Sequence, residues 1–187
     1  MLAQLRAAAA LLIAFTLLCG GAYPLVVLGF AQLVVPGSAN GSAVRIGDVV
    51  VGSEFVAQGF AAARYFHPRP SAAGTDGFDA TSSGGSNLGA ISAKLVDRVR
   101  AAVEAHGAGR PVPADAVTTS GSGLDPEISP ANALAQAARV AAARGRPESE
   151  IRALVERFTL GRELGILGER RVNVLRLNLE LDAARAR

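Results

Sequence analysis

Few side chains in this 187-residue chain are of the types that bind transition metals. The two histidines, His67 and His106, share no ligand spacing, and the single cysteine, Cys19, lies in an apolar segment. A zinc site needs several His, Cys or carboxylate ligands brought together. The sequence therefore predicts no metal site and no intrachain disulfide.

Two segments rich in serine and glycine, residues 82–87 and 120–126, could hold an anion through their backbone N–H groups. The first precedes a predicted helix, but no Gly-Lys-Ser/Thr follows it. The second departs from the dinucleotide-binding pattern. Tight turns, which favour glycine because it reaches positive φ, explain both segments without a ligand.

Serine hydrolysis is an alternative function. Lys94 is the only lysine of the chain, and a pair formed with a loop serine such as Ser86 could supply a base and a nucleophile. No Gly-x-Ser-x-Gly elbow is present. The leading interpretation assigns no catalytic residue, and a free-standing, membrane-anchored serine hydrolase is the alternative.

Arginine and aromatic side chains occur together in residues 64–70, which include Tyr65, Phe66 and Arg69. Exposed side chains of these types are frequent hot spots of protein interfaces. Anchoring of Tyr65 and Phe66 in the core is the other interpretation. The sequence leaves both open.

An uncharged segment spans residues 7–44, and its strongly apolar part, residues 8–35, exceeds the roughly 20 residues of a transmembrane helix. A cleaved signal peptide is the rival interpretation, but its apolar region usually spans roughly 7–15 residues. Pro24, which follows two glycines, predicts a kink. Arg6 and the positive-inside rule place residues 1–7 in the cytoplasm and residues 36–187 outside.

The predicted fold class is α+β, with one N-terminal transmembrane helix followed by a small mixed α/β extracytoplasmic domain. Hydrophobic periodicity and capping residues predict helices over 87–106, over 129–144 and from 147 onward. A short strand is expected at 45–51, with a possible turn at Gly47 and Asp48, and another at 113–119. Residues 67–90 are predicted to form a long loop, and residues 171–181 fit either a strand or a helix.

The charge pattern argues against a nucleic-acid partner. The chain has 19 basic and 16 acidic residues, a net charge of +3, and the two signs are interleaved. Nucleic-acid-binding surfaces usually show clustered Lys and Arg.

Several blocks of the sequence resemble, in order, the C chain of the potassium-transporting P-type ATPase, the KdpC family. The most specific are YFHPRPS at 65–71 and SGGSNL at 83–88. The others lie at 20–25, 40–60, 117–130, 136–144 and 167–179. Phe78, Ala93 and Arg170 depart from the family pattern at single positions.

The resemblance implies a four-chain potassium pump in the bacterial inner membrane. A channel-like A chain binds potassium, a B chain hydrolyses ATP through an aspartyl phosphate, and a small F chain lies alongside. The present sequence lacks the Asp-Lys-Thr-Gly phosphorylation motif. The chain is therefore expected to be a non-catalytic subunit needed for assembly and stability. No firmly bound cofactor is expected, and the partner chain handles potassium.

Two roles are implied by the resemblance. In the favoured role the outer domain caps the potassium entrance of the A chain, and Asp125, with Asp76 and Asp79, would attract cations. The candidate contact residues are Tyr65, Phe66, Arg69, Ser83, Gly84, Gly85, Ser86, Asn87 and Asp125. In the other role the chain is a chaperone that raises the ATP affinity of the B chain, with Gln136 close to the nucleotide. That role conflicts with an outer location of the domain.

Overall fold

The structure, a computed structural model, describes residues 1–107, 109 and 111–183. Its contacts divide the chain into two compact units, Met1–Val51 and Gly52–Arg187.

The first unit begins with one long helical stretch, Leu2–Val34. It consists of α1 (Leu2–Leu17), a π-helical turn (Leu18–Ala22) and α2 (Tyr23–Val34). Its most apolar 18-residue window has a mean hydropathy of 2.2, and none of that window is buried. The length and composition suit a membrane span. The helix begins six residues before the predicted segment, 8–35, and ends one residue before its end.

The helical hydrogen-bond pattern changes where Pro24 predicts a kink. Proline has no backbone N–H, so it cannot donate to the carbonyl four residues earlier. The π-helical turn ends two residues before Pro24 and contains both Gly20 and Gly21. Such turns mark the insertion of one extra residue into an α-helix.

A short helix and a β-hairpin complete this part of the chain. They are α3 (Pro36–Ala39), β1 (Ala43–Ile46) and β2 (Val49–Ser53). The possible turn at Gly47 and Asp48 is formed, and Gly47 has a φ of 59°. The single strand predicted at 45–51 is therefore wrong, because the turn divides the segment into two paired strands.

After the last two residues of β2, the second unit continues with an irregular segment, residues 54–92. It contains no helix and no strand beyond one isolated bridge between Ser53 and Val56. The predicted loop at 67–90 is confirmed, and the irregular region is longer than expected. We refer to residues 54–92 as the irregular segment.

Helices and a small sheet form the rest of the described unit. The helices are α4 (Ala93–Ala105), α5 (Ala114–Val117), α6 (Pro130–Arg144), α7 (Glu148–Arg157) and α8 (Val174–Ala183). The strands are β3 (Glu127–Ile128), β4 (Thr159–Leu160) and β5 (Arg171–Asn173), in the antiparallel order β3-β5-β4. Val172 lies opposite both Ile128 and Thr159. These elements agree with the predicted α+β class.

The central helix α6 has the boundaries that its sequence predicts. The Ser129 hydroxyl accepts a hydrogen bond from the Asn132 backbone N–H at 3.1 Å, which caps the first turn. Gly145 ends the helix with a φ of 64°, a left-handed conformation that costs glycine little. The fully buried side chains of the core lie on α6, α7, α8, β5 and the irregular segment; they include Phe66, Val140, Ile151, Val155, Val172, Leu177 and Leu181.

Two other predictions need correction. Helix α4 begins at Ala93 and not at 87, because Asn87 has a φ of 50° and Ser92 is extended, so neither can belong to an α-helix. The strand predicted at 113–119 is a single helical turn, in which the Thr118 hydroxyl donates to the Ala114 carbonyl at 2.7 Å. The ambiguous tail, 171–181, contains both alternatives, strand β5 followed by helix α8.

Candidate functional site

The irregular segment is attached to α8 by a side-chain amide. Asn178 accepts a hydrogen bond from the Phe66 backbone N–H at 2.8 Å and donates one to the Phe66 carbonyl at 2.9 Å. Both residues are buried, and the Phe66 ring is fully inaccessible. Phe66 is therefore a core anchor, and its side chain offers no surface to a partner in this conformation.

Gln136 on α6 attaches the next residue in the same way. Its amide accepts from the His67 N–H at 2.8 Å and donates to the His67 carbonyl at 3.0 Å. It also donates to Asn132 at 3.0 Å and accepts from Arg139 at 2.7 Å. Both N–H groups and both lone pairs of the amide are thus used within the chain. This leaves no free amide group for the nucleotide contact of the chaperone interpretation.

Tyr65 is half-buried and belongs to a charged cluster. Its hydroxyl donates to the Asp182 carboxylate at 2.8 Å and accepts from Arg64 at 2.9 Å. Arg144 binds the same carboxylate at 2.9 Å, and its guanidinium carbon lies 5.3 Å from the ring centre, within cation–π range. Tyr65 is therefore fixed within the domain and keeps only part of its surface for a partner.

The two segments rich in serine and glycine pack against each other. The Gly84 N–H donates to the Ser122 carbonyl at 2.8 Å, and the Ser83 hydroxyl donates to the same oxygen at 3.0 Å. A Cβ at Gly123 would lie 2.5 Å from the Gly84 carbonyl oxygen, and one at Gly85 would lie 3.0 Å from the Gly121 carbonyl oxygen. The glycines permit this close backbone approach, which supports the turn interpretation over an anion site.

Arg69 joins the irregular segment to the second of these loops. Its guanidinium donates to the Asp125 carboxylate at 3.1 Å and to the Thr119 carbonyl at 3.2 Å. The Ser71 hydroxyl donates to the Gly123 carbonyl at 2.6 Å. The negative charge of Asp125 is therefore compensated by Arg69, which weakens its predicted attraction for cations.

Asp79, another of the predicted cation-attracting residues, is exposed and ionised. Its carboxylate accepts hydrogen bonds from the Thr81 hydroxyl at 2.7 Å and the Thr81 N–H at 2.9 Å. These bonds lower its pKa below the usual value for aspartate.

The pair proposed for a hydrolase is not assembled. The Ser86 hydroxyl accepts from Arg98 at 3.4 Å, and within the described part of the chain no hydrogen bond joins it to Lys94. Asn87, next to it, is exposed at positive φ. Of the contact residues predicted from the sequence, Ser83 and Asn87 are exposed, Phe66 is buried, and the others are half-buried.

His67 is held close to Arg139, and one ring nitrogen lies 3.2 Å from the Ala62 carbonyl oxygen. Burial, and then the positive charge of Arg139, lower the pKa of His67 below its ordinary value. Over the described residues, no group of three or more His, Cys, Asp or Glu side chains could hold a metal ion.

Sequence reasoning missed the amide attachments. Asn173 provides a third, donating to the Glu54 carbonyl at 2.8 Å and accepting from the Arg176 N–H at 3.0 Å. The available signal was the presence of two asparagines, Asn173 and Asn178, within a tail rich in valine and leucine. A buried amide needs hydrogen-bond partners, and the irregular-segment partners of Asn178 and Asn173, Phe66 and Glu54, lie more than 100 residues away in sequence.

The geometry thus describes an apolar helix long enough to span a membrane and an α+β domain whose candidate groups are engaged in internal contacts. The profile of the KdpC family, described as "K+-transporting ATPase, c chain", matches residues 5–183. The chain belongs to this family.

Similar proteins cover nearly the whole chain. Proteins named "Potassium-transporting ATPase KdpC subunit" from Allorhizobium ampelinum and Rhodospirillum rubrum are each 55% identical to it. The first alignment covers 100% of this chain and 99% of the relative, and the second covers 97% and 96%. A relative of the same name from Caulobacter vibrioides is 53% identical over 98% of this chain and 94% of its own length.

Proposed function

We propose that this chain is a non-catalytic subunit of an ATP-driven potassium pump, needed for assembly and stability of the complex. It joins the complex through its N-terminal helix and caps the outer potassium entrance with its α+β domain. The observation that carries the proposal is the stretch Leu2–Val34, whose apolar window has no buried residue in the isolated chain. Such a surface needs lipid or a partner helix.

The non-catalytic assignment is supported by how the described side chains are used. Ser86 is paired with Arg98 and not with Lys94, and Gln136 is fully engaged with His67, Asn132 and Arg139. A nucleophile needs a base within hydrogen-bond reach. ATP hydrolysis and potassium binding then belong to the B and A chains of the pump.

The hydrogen bonds of Gln136 favour the capping role over the chaperone role. A residue that bound the nucleotide in the complex would first have to release the His67 backbone, which would lose two hydrogen bonds. The capping role leaves these bonds intact. The exposed residues Ser83 and Asn87 stay available for a neighbouring chain.

The experiment is co-purification from cells that express this chain, tagged at its C-terminus, with the other three pump chains of the same bacterium. We expect the A, B and F chains to be recovered together with it, and growth at limiting potassium to depend on it. The matched variant replaces residues 2–34 with an unrelated transmembrane helix of the same length. It should remain in the membrane but recover less of the complex.

Recovery of the tagged chain alone, together with labelling by a serine-reactive fluorophosphonate, would favour the hydrolase. Topology is tested in the same cells with Cys19→Ala combined with Ser149→Cys, an exposed position on α7. Labelling of intact cells by a membrane-impermeant maleimide is expected. Labelling only after lysis would reverse the orientation and favour the chaperone role.

A further inference from the structure

The loop between β4 and β5 carries an exposed aliphatic tip. Within this loop, residues 161–170, Leu164 is 88% exposed, Ile166 74% and Leu167 56%. Single exposed apolar side chains are normal on a protein surface. Three of them clustered on one short loop between polar flanks are typical of a protein–protein or membrane contact.

The backbone of this loop is preformed. Glu163 and Leu167 exchange two backbone hydrogen bonds, each of 2.9 Å, and the Ile166 N–H donates to the Glu163 carbonyl at 3.1 Å. A loop that is already ordered before binding loses little conformational entropy when a partner binds.

Leu164 adopts a backbone conformation that does not suit its residue type. Its φ is 52°, and the next residue, Gly165, has a φ of 78°. Side chains with a Cβ pay a free-energy penalty in this left-handed region, whereas glycine and asparagine tolerate it. Because the Leu164 side chain is also exposed, it contributes neither backbone stability nor core packing. Its contribution therefore lies outside this chain.

The charges at the base of the loop point to a protein and not to a lipid surface. Arg162 pairs with Glu169 at 2.7 Å, Arg171 with Glu163, and Arg170 with Glu156 at 3.5 Å. Loops and helices that bind anionic membranes present unpaired Lys or Arg and often Trp or Tyr. This loop has its arginines neutralised and contains no aromatic residue. It fits an apolar, uncharged pocket.

We propose that residues 161–170 form an apolar knob that inserts into an aliphatic pocket on another protein chain of the potassium pump. The proposal rests on the proposed function, since it takes one of the pump chains as the partner. Leu164 and Ile166 provide the inserted side chains, and the ion pairs at the base hold the loop in the docking conformation.

The first test uses Leu164→Asn in the full chain co-expressed with the other pump chains. Asparagine accepts positive φ, so the variant should be at least as resistant to urea as the wild type. Loss of one buried leucine contact should nevertheless weaken recovery of the complex by about tenfold or more. Ile91→Asn, at a position that is 100% exposed outside the loop, is the matched control and should leave recovery unchanged.

Recovery of Leu164→Asn equal to that of the wild type would overturn the proposal, and so would an equal loss in Ile91→Asn. A wild-type chain that recovers no pump chain would overturn the proposed function as well. Wild-type recovery without an effect of Leu164→Asn would overturn only the knob.

The second test places a photoreactive benzophenone amino acid at position 164 in the assembled pump. We expect a cross-link to a peptide of one of the pump chains, identified by mass spectrometry. A cross-link confined to lipid, or to a second copy of this chain, would contradict the proposal, and so would the absence of any cross-link from a complex that is otherwise recovered intact.

Discussion

The irregular segment and the helical part of the same unit are ordered by different means. Helices α6 to α8 satisfy their own backbone groups and pack aliphatic side chains such as Val140, Ile151 and Leu177. The irregular segment belongs to no sheet. Part of its backbone bonds to other loop backbone, as the Gly84 N–H does to the Ser122 carbonyl, and part bonds to side chains of the helices. Asn178 and Gln136 each satisfy both the N–H and the carbonyl of one residue.

This difference predicts different responses to substitution. Aliphatic packing is distributed over many contacts, so a change of shape at similar volume is tolerated. An amide that satisfies two buried backbone groups has no substitute, because each group left without a partner costs about 1–3 kcal/mol. The comparison can be tested on full-length protein in mild detergent, with urea unfolding followed by pulse proteolysis.

The largest effect is expected for Asn178→Leu. The substitution keeps the side chain about the same size but leaves the Phe66 N–H and carbonyl unsatisfied, which should lower the free energy of unfolding by about 4 kcal/mol. The control Leu181→Met changes a fully buried residue on the same helix and should cost less than about 1.5 kcal/mol. Equal costs for the two variants would remove the distinction between the two regions.

An intermediate effect is expected for Gly123→Ala, which tests the close packing of the two serine- and glycine-rich loops. Its φ is 67°, and the new Cβ would lie 2.5 Å from the Gly84 carbonyl oxygen, so a loss of about 2–3 kcal/mol is expected. Gly121→Ala is the matched control, since no heavy atom lies within 4 Å of a Cβ there. A similar loss in both variants would show that the close approach of Gly123 to the Gly84 carbonyl is not responsible.

The smallest effect is the pH dependence contributed by His67. Burial and Arg139 lower its pKa in the folded chain, so below about pH 6.5 the unfolded chain binds more protons than the folded one. The contribution of His67 to the free energy of unfolding should therefore be fully present above that pH. It should fall as the pH decreases from about 6.5 toward the lower pKa of the folded chain. His67→Gln should flatten the curve between pH 7.5 and 5. An unchanged slope in His67→Gln would assign the dependence to other groups.

The sequence predicted those elements whose signals are local. The capping serine and terminal glycine of α6 lie at its ends, and the apolar run of the first helix is continuous. The predicted start of α4 was wrong because the helical spacing of apolar residues continues through Leu88 and Ile91, which precede the first residue of the helix. Periodicity does not reveal that Asn87 adopts positive φ.

Side-chain contacts of the candidate site were less predictable, because they join distant parts of the chain. Phe66 and Asn178 are 112 residues apart, and Arg69 and Asp125 are 56 apart. The sequence identified Arg69, Asp125 and the two glycine-rich loops as candidates. It could not indicate that they satisfy one another, because pairing depends on the packing of the whole unit.

The Phe66–Asn178 attachment also has a consequence for the time course of biosynthesis. Synthesis proceeds at about 5–20 residues per second, so Asn178 is made roughly 6–22 s after Phe66. During that interval the Phe66 N–H and carbonyl have only water or transient contacts as partners. The nascent irregular segment thus completes its order only after α8 has been made.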